Sequence, residues 1–172
     1  MDYGQNFIDR SRVYLTDEYR IKLRKTIATL PPEMLWWRPN DESNSVGNLL
    51  MHLEGNLRQW IVGAVGGATD VRNRAGEFAA REGSTTEELM RRVEQTLDEA
   101  DAVLAKLRPE QLTERLRVQA RDVSVLEAVY QVVQHFALHL GQIILVAKAA
   151  VPGAVKFYED AGGAAKPIWR NA

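Results

Sequence analysis

The chain contains no cysteine, which removes disulfides, thiolate metal ligands and a cysteine nucleophile and leaves histidine and carboxylate as the available ligand types. It also lacks an excess of charge: 22 basic residues against 23 acidic ones leave a formal charge of -1. Net charge therefore supplies no drive toward nucleic acid or an anionic membrane. No aromatic and basic stripe is present for stacking on bases. The start, Met1-Asp2-Tyr3-Gly4-Gln5, has no basic segment followed by an apolar one, and no run of consecutive apolar residues reaches the roughly 18 that span a bilayer. These absences predict a soluble cytoplasmic protein with no nucleic-acid and no membrane partner. What the chain does have is apolar residues, 45% of 172, enough for one domain spanning 1–172 to bury a core without covalent staples.

The apolar residues recur at helical spacing in four segments. The first spans about residues 5–29 and stops at Pro31-Pro32, because proline cannot continue the helical hydrogen bonding. The second, 45–63, starts at Ser45, whose hydroxyl can cap free amides. The third, 84–107, opens on overlapping capping boxes at Ser84-Thr85-Thr86-Glu87-Glu88 and carries the clearest stripe: Leu89, Val93, Leu97, Ala100, Leu104 and Leu107. The fourth, 124–150, follows the box Ser124 to Glu127, closes at Pro152-Gly153, and is apolar on nearly every side. It is expected to be the most buried helix. Segments of roughly 20 to 27 residues are about 30 to 40 Å long and have the proportions of an all-α four-helix bundle. The stretch 66–83 is long for a simple connection and reads as a crossover between parallel neighbours. Pro32-Glu33-Met34-Leu35 and Pro109-Glu110-Gln111-Leu112 echo one another after the first and third helices. Arg115 to Val118 is a candidate extended piece, and 151–172 reads as a tail or strap.

Histidine is scarce, with three in the chain, and its placement carries the functional reading. His135 and His139 form an H-x-x-x-H pair inside the fourth helix, where a spacing of four puts both imidazoles on one face. His52 lies in the apolar second helix. Three nitrogen ligands from two helices would fix a divalent metal and leave coordination positions open, as in a catalytic site. The polar neighbours repeat at the same spacing: Gln142 shares the side of His135 and His139, while Asn48, His52 and Asn56 form a row on the second helix. Buried polar groups in apolar helices are costly unless satisfied. A metal with bound water would satisfy the rings, and Asn48, Asn56 and Gln142 are candidates to orient them. Glu54, two residues from His52, points elsewhere. The competing reading is a cluster of hydrogen-bonded core histidines; it suits His52 alone better than it suits all three together. Phe136 follows His135, so the H-E-x-x-H signature with its built-in glutamate base is absent.

His52 within S-V-G-N-L-L-M-H-L, and H-F-A-L-H-L-G-Q-I at 135–143, resemble the DinB/YfiT-like superfamily of metal-dependent enzymes, with the four-helix layout extending the likeness over most of the chain. The resemblance implies a bundle in up-down-down-up order, frequent homodimers, and His52, His135 and His139 as ligands of zinc, nickel or a similar ion. It also implies a small-molecule substrate and an activity such as thiol transfer with a low-molecular-weight thiol cosubstrate. An ion with open positions lowers the pKa of a bound thiol or water, so the expected reaction is thiolate attack on an electrophile in a pocket between the second and fourth helices, or hydrolysis if water replaces the thiol. Trp36, Trp37 and Arg38 are candidates for the pocket wall, although paired tryptophans in a loop more often plug a bundle end. Trp60 and Tyr130 suit core or interface, and Arg91-Arg92 a solvated face. The main alternative is a metal-stabilised binding or assembly module without turnover. A purely structural helical dimer would leave the histidines with ordinary hydrogen-bond partners.

Overall fold

Helix α1 (Tyr3–Arg12) runs through a π-helical stretch (Val13–Tyr19) into α2 (Arg20–Ile27), forming one continuous rod where the first segment is expected. The computed structural model describes residues 2–170; position 1 and the last two positions of the 151–172 tail lie outside the described residues. Helix α3 (Val46–Leu57) begins on a capping box in which the Ser45 hydroxyl accepts from the Asn48 amide and the Asn48 side chain accepts from that of Ser45. It continues into a second π-helical stretch, Arg58–Val65. A short helix not expected from the sequence, α4 (Arg74–Ala79), precedes α5 (Thr86–Leu104). Helix α6 (Val125–Ala150) starts on the Ser124 and Glu127 box. The echoing Pro-Glu segments both form short 3-10 helices, Pro32–Met34 and Pro109–Thr113.

The described residues are mainly helical, and the strands are confined to two antiparallel hairpins. Strand β1 (Arg115–Val118), the expected extended piece, pairs with β2 (Arg121–Ser124) through a turn whose Gln119 and Ala120 have φ of 48° and 60°, the left-handed values that two-residue hairpin turns require. Strands β3 (Tyr158–Asp160) and β4 (Ala165–Pro167) form a hairpin in the C-terminal strap.

Ion pairs between the rods fix their directions. Arg92 reaches Glu54, and Arg58 reaches Glu99, so residue numbers rise together along α3 and α5 and the two run parallel. The segment between them, which contains α4, is therefore a crossover. Arg12 pairs with Asp101, Arg20 with Asp98 and Arg24 with Glu94, an order that makes α1–α2 antiparallel to α5.

Helix α6 differs from expectation in two ways. It is not the most buried helix: eight of its 26 residues are buried, against ten of the 12 in α3. Its apolar circumference divides into a core face, with Val129, Val132, Phe136 and Ile143, and an outward face with Leu126, Tyr130, Leu138 and Leu145, the last 69% exposed. It is also long and apolar enough to cross a membrane by length and composition, with a mean hydropathy of 1.3 over an 18-residue window. Counting uninterrupted apolar residues misses this because the glutamines and histidines break the run, while the Val, Leu and Ile residues around them keep its average apolar. Such a helix is equally typical of a core, and the buried half of α6 plays that part here.

The strap is anchored through Lys22 of α2. Its ammonium donates to Glu18 at 2.6 Å and to the Tyr158 hydroxyl at 3.0 Å, and lies 5.0 Å from the ring centre of Trp169, 5.2 Å from Tyr158 and 5.9 Å from Phe157. Burial lowers the Lys22 pKa, but the bonds to Glu18 and Tyr158 outweigh it and leave it raised, so the charge is kept. A desolvated cation held by aromatic faces contributes about 2 kcal/mol. Lys22→Met, similar in length but uncharged, is expected to lower stability by about that amount and to make residues 157–169 sensitive to limited proteolysis. A strap that stays protected in this variant would mean that Trp169 and Phe157 hold it by apolar burial alone.

Candidate metal centre

The packing of α3 against α6 brings the three histidines together, the two on α6 one turn apart and facing the one on α3. His52 Nε2 lies 3.0 Å from His135 Nε2, and His139 Nε2 lies 3.1 Å from the same atom. Each ring offers a ligand nitrogen, and all three atoms lie within 4.8 Å of one another. His52 is buried; His135 and His139 are half-buried.

The outer nitrogens decide what the inner ones can do. His52 Nδ1 is 2.8 Å from Glu77 Oε2, and a carboxylate only accepts, so the proton sits on Nδ1 and Nε2 carries a lone pair. Arg72 Nη2 approaches the same Nδ1 at 3.1 Å, but two proton-bearing nitrogens form no hydrogen bond. His139 Nδ1 donates to Gln142 Oε1 at 2.6 Å, which likewise bares its Nε2. With its proton on Nε2, His135 can serve only one neighbour and leaves the other ring's lone pair without a donor at about 3 Å; with its proton on Nδ1, its Nε2 lone pair faces both of the others. Its own Nδ1 is buried without a partner. A divalent cation resolves the conflict by accepting all three lone pairs. A tetrahedral ion with bonds of about 2.0–2.1 Å spaces its nitrogens about 3.4 Å apart, close to the two separations that His135 makes. The group can therefore hold a metal ion.

Behind His52 stands a buried ion pair. Arg72 donates to Glu77 through Nε at 2.6 Å and Nη2 at 2.8 Å, and the two side chains are 3% and 7% exposed. Burial raises the Glu77 pKa, but hydrogen bonds from Arg72 and then His52 overcome it and hold the carboxyl below its ordinary value. Asn48 fixes the segment in space: its amide donates to the carbonyls of Glu77 and Ala80, each at 2.8 Å. The Phe78 ring packs 4.7 Å from that of His52. Gly55, one turn after His52, makes room for the pair, since a Cβ there would lie 2.2 Å from Glu77 Oε1 and 2.9 Å from Arg72 Nε.

The expected orienting residues divide accordingly. Gln142 bonds His139 directly, whereas Asn48 acts on the backbone of α4 and touches no ring. Asn56 is buried on the row of His52 but bonds to none of the three imidazoles among the described residues. Trp36 lies over Gly47 and donates to the Ser84 carbonyl at 3.2 Å. It fills the gap at the start of α3. Trp37 is 43% exposed and Arg38 half-buried. A cavity of about 380 Å³ adjoins the centre on the Arg72 side, lined by Arg72, Glu77, Gly55, Met51 and Arg58 among others. No histidine and none of Trp36, Trp37 and Arg38 lines it. Glu77, Arg72 and Phe78 were not singled out from the sequence. The helix of Glu77 and Phe78 is too short for periodicity to show, Arg72 lies in the loop before it, and the available signal was Gly55, a mid-helix glycine that costs about 1 kcal/mol relative to alanine and marks a close approach.

Burial pushes the His135 pKa down to about 3, helped by the neighbouring rings and by the charges of Arg72 and Arg74. Burial also lowers that of His139, against the bond its Nδ1 donates to Gln142. Both groups bind a proton more readily in the unfolded chain, where the ordinary value is 6.5. Their contribution is therefore fully present above that value and is lost as pH falls toward the folded pKa. The metal-free protein is expected to lose stability as pH drops from 6.5 to about 4.5, with a limiting slope of about 1.4 kcal/mol per pH unit per histidine, reduced by partial exposure. Denaturant melts across this range, wild type beside His135→Asn, check it; parallel curves for the two proteins would place the acid sensitivity elsewhere.

A family model described as "Protein of unknown function (DUF1572)" matches residues 2–156. The match stops one residue before Phe157, so the aromatic strap lies beyond it. No curated protein matches the chain.

Proposed function

The chain belongs to the DUF1572 family, and from that membership and the converging histidines we propose a metal-dependent enzyme in which His52, His135 and His139 hold one divalent ion, zinc or nickel. DUF1572 is a DinB-like family, which supports reading 1–172 as one domain whose rods form an up-down-down-up four-helix bundle. The parallel α3 and α5 and the antiparallel α1–α2 agree with that order. One observation carries the reading: two rings are tied at Nδ1 to acceptors, so their Nε2 lone pairs converge on His135 Nε2, where a divalent cation would accept all three and a single proton serves only one.

With three protein ligands, such an ion supplies Lewis-acid activation of a low-molecular-weight thiol or of water at its open positions. The chain's own groups orient and insulate. Glu77 fixes the His52 tautomer, Gln142 fixes that of His139, and Phe78 shields the His52 ring from water. No cysteine is present, so a thiol nucleophile comes from a cosubstrate and the electrophile is a small molecule. The outward apolar face of α6 suits a second copy of the chain, and we place the homodimer in the cytoplasm with neither nucleic acid nor membrane as partner.

Elemental analysis of the purified protein tests the centre, with one divalent ion per chain expected. Transfer assays of the metal-loaded form, using glutathione and a chromogenic aryl halide, with ester hydrolysis as the second arm, test turnover. Full metal content without turnover in either arm favours the non-catalytic module, which one feature supports: the adjoining cavity is lined by Arg72 and Glu77 and by no histidine.

A further inference from the structure

We infer that Arg74 is a specificity-determining residue that selects a carboxylate-bearing ligand at the three-histidine centre, an inference that rests on the metal reading above. Three features of the crossover segment carry it. The Arg74 guanidinium sits 4.9 Å from the centre of the Phe78 ring, and that ring is 4.7 Å from the ring of His52. The two spacings bound the cation to within about 10 Å of the His52 imidazole, no more than one Debye length at 0.1 M salt. The nearby Arg72 is committed: its fork is closed on Glu77 and its Nη1 on Gln59. Arg74 has no ion pair among the described residues, and its side chain is exposed. Its aromatic support limits where the guanidinium travels without using its hydrogen-bond donors.

The charge count around the centre points to the ligand class. Arg72 and Glu77 cancel, so Arg74 is left as an uncompensated fixed cation beside a site that takes a divalent ion. A neutral ligand would leave that charge unanswered. An anionic oxygen group two or three bonds from the atom meeting the metal would answer it with a fork of parallel hydrogen bonds, the strongest form of guanidinium recognition. One uncommitted guanidinium matches a singly charged carboxylate better than a dianionic phosphate, which ordinarily gathers several donors. Arg74 is thus a positioning group for the thiol or substrate. It touches no ligand nitrogen and takes no part in holding the ion.

The test uses the full-length protein loaded with cobalt(II), whose visible spectrum reports ligands entering the metal's open positions. The probes are 3-mercaptopropionate and its isosteric neutral amide, 3-mercaptopropanamide. The wild type is expected to bind the acid about tenfold more tightly than the amide, a ratio that shrinks as salt is raised. Arg74→Gln should bring the two probes to near-equal affinity with cobalt content unchanged, and Arg74→Lys should restore part of the preference. An acid-to-amide ratio in Arg74→Gln equal to that of wild type overturns the assignment while leaving the metal centre intact. Stronger competition by inorganic phosphate than by acetate overturns the carboxylate class. Failure of the wild type to take up cobalt is a separate outcome that removes the metal reading and this inference together.

Discussion

His135→Ala is expected to abolish retention of the divalent ion while leaving the metal-free protein nearly as stable as wild type. His135 Nε2 is the nitrogen that both other rings approach, at 3.0 and 3.1 Å, so its loss removes the shared corner of the ligand triangle. Losing an outer partner of a ligand costs 10–100-fold in affinity as an order of magnitude, and losing the ligand itself exceeds that. The apo state behaves differently. Truncation opens a small cavity, but it also removes a buried Nδ1 with no partner, and a group of that kind costs about 1–3 kcal/mol while it remains. It removes the lone-pair conflict as well. These effects oppose one another, and the unfolding free energy without metal should move by less than about 1 kcal/mol. With ion at 100 times its dissociation constant, the wild type gains about 2.7 kcal/mol by mass action and the variant gains none. Melting both proteins with and without the ion separates binding from folding. Equal stabilisation of the two would remove His135 from the centre; His52→Ala should behave like His135→Ala toward metal.

How much of this was legible in the sequence depends on the range over which each signal acts. The caps at Ser45, Thr85 and Ser124 are local chemistry, and each begins a helix within two residues of its expected start. The H-x-x-x-H pair is equally local, because helical spacing alone puts His135 and His139 on one face. That His52 would meet them required α3 to pack against α6 in one register, which its sequence neighbours do not encode. The scarcity of histidine, all three in apolar helices, suggests the meeting, and the family resemblance adds to it. The support behind His52 was hidden for a different reason. Asn48 stands one turn before His52 and reads as a partner of the rings, whereas its amide reaches across to the carbonyls of Glu77 in α4 and of Ala80 at that helix's C-cap. With six residues, α4 has too few turns to show a pattern. Helix α6 misled because apolar residues all round a helix look alike whether they face a core or the outside. Only the packing separates Val132 from Leu145.

Glu77→Ala is expected to have the largest effect on folding. Arg72 is 3% exposed, and without the carboxylate its guanidinium keeps the Gln59 side chain at 3.0 Å and, only if the His52 proton moves to Nε2, the ring's Nδ1 at 3.1 Å, neither of which carries charge. Removing one member of a buried ion pair strands the other charge and costs about 3–5 kcal/mol. The same substitution frees the His52 Nδ1 proton, so the ring no longer has one enforced tautomer, and ion affinity should fall a further 10–100-fold. Glu77→Gln should lie between. Its amide oxygen accepts from either the ring or Arg72, while its NH2 meets a donor on the other side. The double variant Arg72→Met with Glu77→Met separates the two roles: replacing a buried pair by apolar side chains is neutral or stabilising, so stability should return while affinity stays low. Gly55→Ala should reproduce the affinity loss through sterics, its Cβ falling where Glu77 Oε1 now sits. If the double variant recovered affinity along with stability, the carboxylate would serve only to neutralise Arg72, and the orientation of His52 would have to come from Phe78 and the walls of α3.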